Sequence, residues 1–312
     1  MIGQWAQWNL GVLAVVVAAL ASPLALADDG EALYFVDAHS QMPGGFDESK
    51  IISLRDEAGV RHTILSARND RPPEDVANLA AQHPKRITAA VRSKGKAFNN
   101  NSPKFKKQLN MQLQNPLFKA LGESILYHAK KGNKAPQIIV AADSPQNQLL
   151  LDAALKRGWP FIAHYEFSAA GWDKDKYRAD FEAMVSAHPE HPFVLIHMGQ
   201  LAPDEALRLI DRHANVYFLM SHSNPVTIAE NSGQPWVNLF AGNDLAPNWT
   251  ALITAHSDRF ILAFDNVWPE HWGRFYVEQA EVWRAALMKL PPDVAHALAH
   301  GNAERLWKLP LN

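Results

Sequence analysis

The chain has 312 residues, a formal net charge of −2 at pH 7 and no cysteine. Hydrophobic residues make up 47% of the chain and charged residues 20%, which excludes intrinsically disordered and collagen-like proteins. Without cysteine there is no disulfide scaffold, thiolate metal site or cysteine nucleophile, so the 14 histidines are the main candidate ligands for a borderline metal ion. The nearly neutral charge gives no indication of nucleic-acid binding.

The first 27 residues have the pattern of a secretory signal peptide. Residues 10–20 are apolar throughout, and an Ala25-Leu26-Ala27 processing pattern precedes the first polar residue, Asp28. We therefore predict cleavage after Ala27 and export to the periplasm or secretion. The alternative is an N-terminal membrane anchor, although the apolar run is short for a span and Pro23 follows it closely. No other run reaches about 18 apolar residues, so we expect no stable membrane insertion of the mature chain.

Short apolar runs alternate with helical stretches along the rest of the chain, for example the helical residues 203–213. This order predicts parallel strands joined by crossover helices. The predicted strands are residues 33–36, 62–66, 86–91, 120–126, 161–164, 193–197, 216–220 and 260–265.

We predict a single α/β domain over residues 28–312, folded as a (β/α)8 TIM barrel. Eight strands fit if residues 120–142 supply only one barrel strand, and the mature length of about 285 residues is usual for this fold. A doubly wound open sheet is the structural alternative, but the sequence contains neither G-x-G-x-x-G nor a P-loop. No feature of the sequence indicates an oligomeric state.

Metal-ligand residue types follow five of the predicted strands. His39, His164, His197 and His222 lie at four strand ends, and Asp265 ends the last strand. One such histidine is usually a polar cap, but the carboxyl ends of barrel strands surround a single mouth, where active sites are built. Neutral imidazoles and one carboxylate form a ligand set that suits Zn²⁺ or a similar divalent ion.

The order and spacing of seven motifs resemble the amidohydrolase superfamily, specifically its amidohydrolase-related (amidohydrolase 2) branch of metal-dependent TIM-barrel hydrolases and decarboxylases. The resemblance extends over roughly residues 33 to 309. The motifs are DAHSQ, DEAGVRHTILS, AQHPKRITAAV, RGWPFIAHYE, FVLIHMGQLAP, RFILAFDNVWP and HGNAERLWKLP.

The resemblance implies one divalent metal ion, most simply zinc, at the barrel mouth. By motif position His39, His164 and Asp265 match metal ligands, and His197 matches a further ligand or an acid/base. The resemblance further implies that Asp265 orients a water molecule or takes its proton, so Asp265 and His197 are the expected catalytic residues. No lysine matches the fourth-strand lysine of binuclear relatives, so a binuclear site is not expected.

The departure from the family pattern is Gln41, which stands where the family has a second histidine. An amide oxygen is a poorer ligand for Zn²⁺ than an imidazole. Three interpretations are open. The metal is retained, with Gln41 as a loose ligand or a neighbour, or the site prefers a harder ion. In the third, the metal is lost and the protein binds a small molecule without catalysis. If Gln41 occupies the histidine position, Gln41→His should raise the metal affinity, since the residue shares a strand face with His39.

Two further features bear on the substrate. Residues 85–134 contain twelve Lys or Arg and one acid, Glu123, which indicates either a solvated face or a basic rim that attracts an anion. Several tryptophans follow strands, and we expect Trp172, Trp268 and His222 to contact a small, ring-bearing or anionic substrate. Packing of long loops onto the barrel is the alternative for the tryptophans.

Three functions remain open at this point. The first is metal-dependent hydrolysis of a lactone, ester or amide, and the second is non-oxidative decarboxylation, because the resembled branch does both. The third is a binding protein with a degraded metal site. No G-x-S-x-G motif is present, which disfavours a serine hydrolase.

Overall fold

A computed structural model describes residues 33–132, 135–230 and 233–310; the predicted signal peptide, residues 1–27, lies outside them. The strands are β1 (Phe35–Met42), β2 (Val60–Ala67), β3 (Ile87–Val91), β4 (Phe118–Leu121), β5 (Ser124–His128), β6 (Ile138–Ile139), β7 (Phe161–Tyr165), β8 (Phe193–Leu195), β9 (Val216–Leu219), β10 (Phe240–Ala241), β11 (Asp244–Leu245) and β12 (Phe260–Ile261). The α-helices are α1 (Ser49–Ala58), α2 (Pro73–Gln82), α3 (Lys96–Asn99), α4 (Pro103–Gln114), α5 (Pro145–Arg157), α6 (Lys174–Ala187), α7 (Pro203–Arg212), α8 (Pro225–Ala229), α9 (Pro247–Ala255), α10 (Arg274–Leu287), α11 (Pro292–His296) and α12 (Asn302–Trp307).

Eight parallel strands close into a barrel. One sheet runs in the order β1-β2-β3-β4, and another runs β12-β9-β8-β7-β5, with β6 antiparallel to β5 at its end. The two sheets meet where β12 joins β1, since Ala38 N donates to Leu262 O at 3.2 Å and Asp265 N donates to His39 O at 2.9 Å. The predicted TIM barrel is therefore confirmed.

The fourth barrel strand is bent, and its two halves are β4 and β5. Gly122 forms the bend, and its N–H donates to Val91 O at 2.9 Å. A Cβ at this position would lie 2.7 Å from the same oxygen, so the close approach requires glycine. The bend aims the next residue, Glu123, at the barrel mouth. β6 has only two residues and lies outside the barrel. Residues 120–142 therefore supply one barrel strand, as predicted.

Helix ends follow the sequence signals. Seven of the described helices begin with proline, which lacks the N–H that would be unpaired in a first turn. Ser144 also caps α5 by accepting from Asn147 N. Helices α1 and α5 end at Gly59 and Gly158, whose φ values of 67° and 63° suit glycine. None of the described helices is long and apolar enough to cross a bilayer.

The apolar core has two layers. The inner layer fills the barrel with branched side chains from successive strands, including Val36, Ile64, Ile162, Val194 and Ile261. Helix α12 adds Ala303 and Trp307 to this layer. The outer layer packs the other strand faces against the surrounding helices. The buried polar side chains beyond this layer include His197, Glu123 and Asp265, which lie at the carboxyl-terminal mouth.

A register shift in β1 aims two side chains at the mouth. The shift lies between Asp37 and Ser40, and Asp37 stabilises it by accepting from Ser40 Oγ at 2.6 Å and from Phe264 N at 3.0 Å. Burial raises the pKa of Asp37 to about 6, against the opposing effect of these hydrogen bonds. Beyond the shift His39 and Gln41 face the same side, with their Nε2 atoms 3.4 Å apart.

Candidate active site

A cavity of about 340 Å³ opens at the carboxyl ends of the strands. Such a position is where TIM-barrel enzymes carry their active sites. Its lining includes His164, His197, His222, Trp236, Asp265 and Trp268.

Asp265 lies at the centre of the polar cluster. Its Oδ1 is 3.4 Å from Nε2 of His39, and its Oδ2 is 3.5 Å from Nε2 of both His197 and His222. The rings of His164 and His197 are 5.2 Å apart. The structure therefore brings together His39, His164, His197 and Asp265, although 226 positions separate the first from the last.

The spacing around Asp265 suits a shared cation better than direct hydrogen bonds. Strong hydrogen bonds to a carboxylate are about 2.7–2.9 Å long. Ligands placed about 2.0–2.2 Å from one ion in a tetrahedron are about 3.3–3.6 Å apart. The 3.4–3.5 Å separations between imidazole nitrogens and Asp265 fall in the second range.

Among the residues that the structure describes, three groups of side chains have the proximity that metal binding requires. They are His39–Glu123–Asp265, His197–His222–Asp265 and His128–His164–Glu166. Two of the groups share Asp265. The expected set of His39, His164 and Asp265 is thus distributed over two groups.

His164 lies between two carboxylates. Its Nδ1 is 2.5 Å from Glu123 Oε2, and its Nε2 is 3.1 Å from Glu166 Oε1. Lys131 Nζ lies 2.8 Å from the same Glu166 oxygen. Burial alone would raise the pKa of Glu166, but the His164 contact and the Lys131 ammonium together lower it. A carboxylate therefore lies beside each ring nitrogen of His164.

The group around His39 contains donors as well as ligands. Gln41 Nε2 donates to Glu123 Oε1 at 2.8 Å and lies 3.4 Å from Asp265 Oδ1. The ammonium of Lys94 contacts the same Glu123 oxygen. Gln41 is therefore in the cluster, as expected, but as a donor through its nitrogen rather than as a ligand through its oxygen.

The histidines around Asp265 are neutral at neutral pH. Burial lowers the pKa of His39 to about 4 and lowers the pKa values of His197 and His222 well below 6.5. Burial also lowers the pKa of Lys94 well below 10.5, with the nearby Arg68 acting in the same direction. Neutral imidazoles present lone pairs, which is the form that binds a metal ion.

Aromatic and cationic side chains form the cavity wall. The guanidinium of Arg68 lies 4.3 Å from the ring centroid of Trp268, and Lys131 Nζ lies 4.7 Å from that of Trp236. His222 lines the cavity, as predicted. Trp172 is fully exposed and is not among the described residues that line this cavity, so the expectation that it contacts the substrate is not supported. Trp236 contributes to the wall instead.

Sequence reasoning missed Glu123, Lys94 and Arg68 as site residues. Glu123 carried a signal, since it is the one acid among twelve basic residues in positions 85–134. Lys94 and Lys131 belong to the same basic stretch, and both reach the cavity. No local pattern distinguished these two side chains from the other lysines of the stretch.

Solved structures similar to this chain share its fold. The 2,6-dihydroxybenzoate decarboxylase from Rhizobium has a TM-score of 0.55 at 16% identity, covering 89% of this chain and 99% of the decarboxylase. An amidohydrolase from Burkholderia multivorans with bound zinc has a TM-score of 0.56 at 16% identity, covering 89% and 100%. A probable 2-pyrone-4,6-dicarboxylic acid hydrolase from Acinetobacter baumannii with bound citric acid has a TM-score of 0.50 at 13% identity, covering 88% and 99%. At these identities the likeness establishes a shared architecture.

The family follows from the sequence itself. No curated protein matches the chain. The model of the amidohydrolase family (Amidohydro_2), by contrast, matches residues 28–309, nearly the whole chain. The chain therefore belongs to the amidohydrolase family.

Proposed function

We propose that this protein hydrolyses an ester, lactone or amide bond in a small, carboxylate-bearing ring compound, using one divalent metal ion, most simply zinc. The observation that carries the proposal is the environment of Asp265. Three neutral imidazoles point nitrogen atoms at its carboxylate from 3.4–3.5 Å, beside a cavity of about 340 Å³. Imidazoles and a carboxylate at such a spacing can bind a divalent cation, here next to a space of the size of a small substrate.

Asp265 is the residue to which we assign proton transfer. A bound divalent ion would polarise the scissile carbonyl and lower the pKa of water to about 7. The carboxylate of Asp265 lines the cavity and is placed to orient the attacking water and accept its proton. His197 and His222 hold their rings against this carboxylate and limit its movement.

Arg68 is the residue to which we assign substrate anchoring. Its Nη1 donates to Gln41 Oε1 at 3.1 Å, which fixes the guanidinium beside the Trp268 ring. Its Nε is buried and finds no hydrogen-bond partner among the described residues. A substrate carboxylate would accept from Arg68 while the attached ring packs against the tryptophan.

Purified protein tests the proposal when it is loaded with Zn²⁺ and given a panel of aryl esters, lactones and anilides that each carry a carboxylate. Acid release and CO₂ release are measured in the same reactions. We expect acid release that disappears in Asp265→Asn. CO₂ release without hydrolysis would identify a decarboxylase instead, and saturable binding of the carboxylates without turnover would identify a binding protein.

Export remains part of the proposal. A signal peptide cleaved after Ala27 would place the barrel in the periplasm or outside the cell. N-terminal sequencing of exported protein should then begin near Asp28. A sequence that begins at Met1 would favour an N-terminal membrane anchor.

A further inference from the structure

In the family pattern that the sequence resembles, a metal ligand stands two residues after His39. Here Gln41 places an amide group at that position. Gln41 Nε2 lies 2.8 Å from Glu123 Oε1 and 3.4 Å from both His39 Nε2 and Asp265 Oδ1. The orientation of this amide is fixed from its other end, because Arg68 can only donate and therefore requires the Gln41 oxygen. The NH₂ group must then face the two carboxylates.

A second donor on this side, Lys94, is cationic. The ammonium of Lys94 contacts Glu123 Oε1, the same oxygen that accepts from Gln41. A cation bound by His39, Glu123 and Asp265 would have to displace the amide and approach the ammonium closely. The donor set present at this position therefore does not suit a divalent ion.

The other oxygen of Asp265 has different neighbours. Nε2 of His197 and Nε2 of His222 both lie 3.5 Å from Oδ2, and all three atoms are within 4.8 Å of one another. The two imidazoles are stacked, with centroids 4.4 Å apart and planes 8° from parallel, so one ring must turn before both Nε2 lone pairs face the same ion. His222 is the ring that can turn, because its Nδ1 has no hydrogen-bond partner among the described residues. Ser221 Oγ lies 2.9 Å from His197 Nδ1 and thereby directs Nε2 towards the carboxylate.

The backbone supplies an independent observation about these residues. His197, His222 and Asp265 have φ values of 53°, 54° and 50°, in the left-handed region. Such a conformation costs about 1–3 kcal/mol at a non-glycine residue and persists where the surroundings impose it, often at functional sites. His39 and Glu123 do not occur among the described residues with positive φ. All three members of the His197–His222–Asp265 group therefore have a strained backbone, whereas in the His39–Glu123–Asp265 group only the shared Asp265 does.

Trp236 lies against the same pair of imidazoles. Its ring is edge-on to His197 at 4.9 Å and to His222 at 5.0 Å between centroids. His222 and Trp236 both line the cavity, so an ion bound here would be close to the substrate space.

We propose that the metal ion binds between the ends of β8, β9 and β12, to His197, His222 and Asp265, and not at the His39 position. The bound ion is one borderline divalent cation, Zn²⁺ or Co²⁺, because two imidazoles and a carboxylate suit such ions. This inference rests on the metal requirement in the proposed function. It assigns His222 a role as a ligand and His39 a role as a neighbour.

Metal binding, measured without turnover, tests the inference. Chelator-treated protein is titrated with Zn²⁺ by calorimetry, and the visible spectrum of the Co²⁺ form reports the ligand geometry. His222→Gln and the matched variant His39→Gln each remove one imidazole on opposite sides of Asp265. We expect His222→Gln to lower the Zn²⁺ affinity by more than about 100-fold, beyond the 10–100-fold typical of losing an outer-shell partner. His39→Gln should change it by less than about tenfold and leave the Co²⁺ spectrum intact.

Ser221→Ala provides a milder variant that retains every ligand. We expect a 10–100-fold loss of affinity from it, since it releases the His197 ring. Thermal melting of each variant shows whether it is folded. Metal affinity lost in His39→Gln but kept in His222→Gln would overturn the inference and place the ion at the first strand. A wild-type chain that binds neither ion would overturn it as well. Hydrolysis by the wild-type protein, assayed separately, decides the proposed function in either case.

Discussion

Asp265 presents its two carboxylate oxygens to different partners, and this division explains how one residue can organise the site. Oδ1 faces His39 and the Gln41 amide, whereas Oδ2 faces His197 and His222. The first side includes the NH₂ group of Gln41, whereas both neighbours on the second side are imidazoles. The metal site that we propose lies on the second side.

Replacement of Asp265 by asparagine should separate chemistry from folding. Asn keeps the shape of the side chain but removes the proton acceptor and one anionic ligand. We expect kcat/KM for hydrolysis to fall by about 10²–10⁴, the usual contribution of a general base, with little change in the melting temperature. Activity within tenfold of the wild type would exclude Asp265 as the base.

Arg68→Met should reveal the charge of the substrate. Loss of a charged hydrogen bond costs about 1.5–3 kcal/mol, so KM for a carboxylate-bearing substrate should rise by about 10–100-fold. A neutral substrate with the same scissile bond is the control, and its KM should stay nearly constant. Equal effects on both substrates would show that Arg68 acts on the structure of the cavity rather than on the carboxylate.

Gln41→His tests whether the filled position can be turned into a metal site. The new imidazole would join His39 and Glu123, but the Lys94 ammonium would remain on Glu123. We therefore expect one Zn²⁺ per chain in Gln41→His and a second equivalent only in Gln41→His combined with Lys94→Met. Metal analysis after dialysis measures both. A second equivalent in the single variant would show that Lys94 does not oppose the ion.

At the scale of secondary-structure elements, His62 ties β2 to the chain entering β3. Its Nδ1 lies 3.0 Å from Lys85 O, and its Nε2 lies 2.8 Å from Thr88 Oγ1. Burial lowers its pKa from 6.5 to about 4, opposed by the Lys85 hydrogen bond and assisted by the charge of Arg55. The folded chain therefore holds this ring neutral at a pH where the unfolded chain binds a proton.

This contact predicts loss of stability in acid. As the pH falls from 6.5 towards 4, the unfolded state takes up a proton that the folded state does not, so the free energy of unfolding decreases. The difference between the two pKa values corresponds to about 3 kcal/mol when complete. Urea unfolding at pH 7.5 and pH 4.5 should show a smaller difference for His62→Gln than for the wild type. An unchanged difference would show that other groups cause the acid sensitivity.

The elements were more predictable than the contacts between them. Apolar runs and proline-started helices gave the order of strands and helices, and the barrel then required His39 and Asp265 to meet. The last strand was predicted over residues 260–265, but β12 ends at Ile261. Asp265, at the predicted end, has a left-handed φ of 50°. Local sequence does not encode such a turn, because the contacts around Asp265 come from distant strands.

The same reason explains what the motifs left open at the site. Whether Gln41 offers its oxygen or its nitrogen depends on Arg68, which lies 27 positions away. The partner of His164 is Glu123, 41 positions away on a strand bent by Gly122. These choices are made by long-range contacts, so a motif can indicate the residues of a site without indicating what each of them binds.

At the scale of the whole molecule, the residues that stabilise the barrel are distinct from those that form the candidate site. The inner apolar layer, continued by Ala303 and Trp307 of α12, fills the barrel below the mouth, while buried charges and imidazoles gather at the carboxyl ends of the strands. Those charges are held in pairs, such as Lys131 with Glu166. A fold of this kind can tolerate strain at the mouth because the apolar layers supply its stability elsewhere.

Reconstitution of metal-free protein tests the central claim most directly. Zn²⁺ is added in steps to the chelator-treated chain, and the rate of hydrolysis of the best carboxylate-bearing ester or lactone is measured at each step. The account predicts a rate that rises in proportion to bound Zn²⁺ and stops rising at one equivalent per chain. Full activity in the metal-free protein, or hydrolysis that never appears at any Zn²⁺ content, would contradict it.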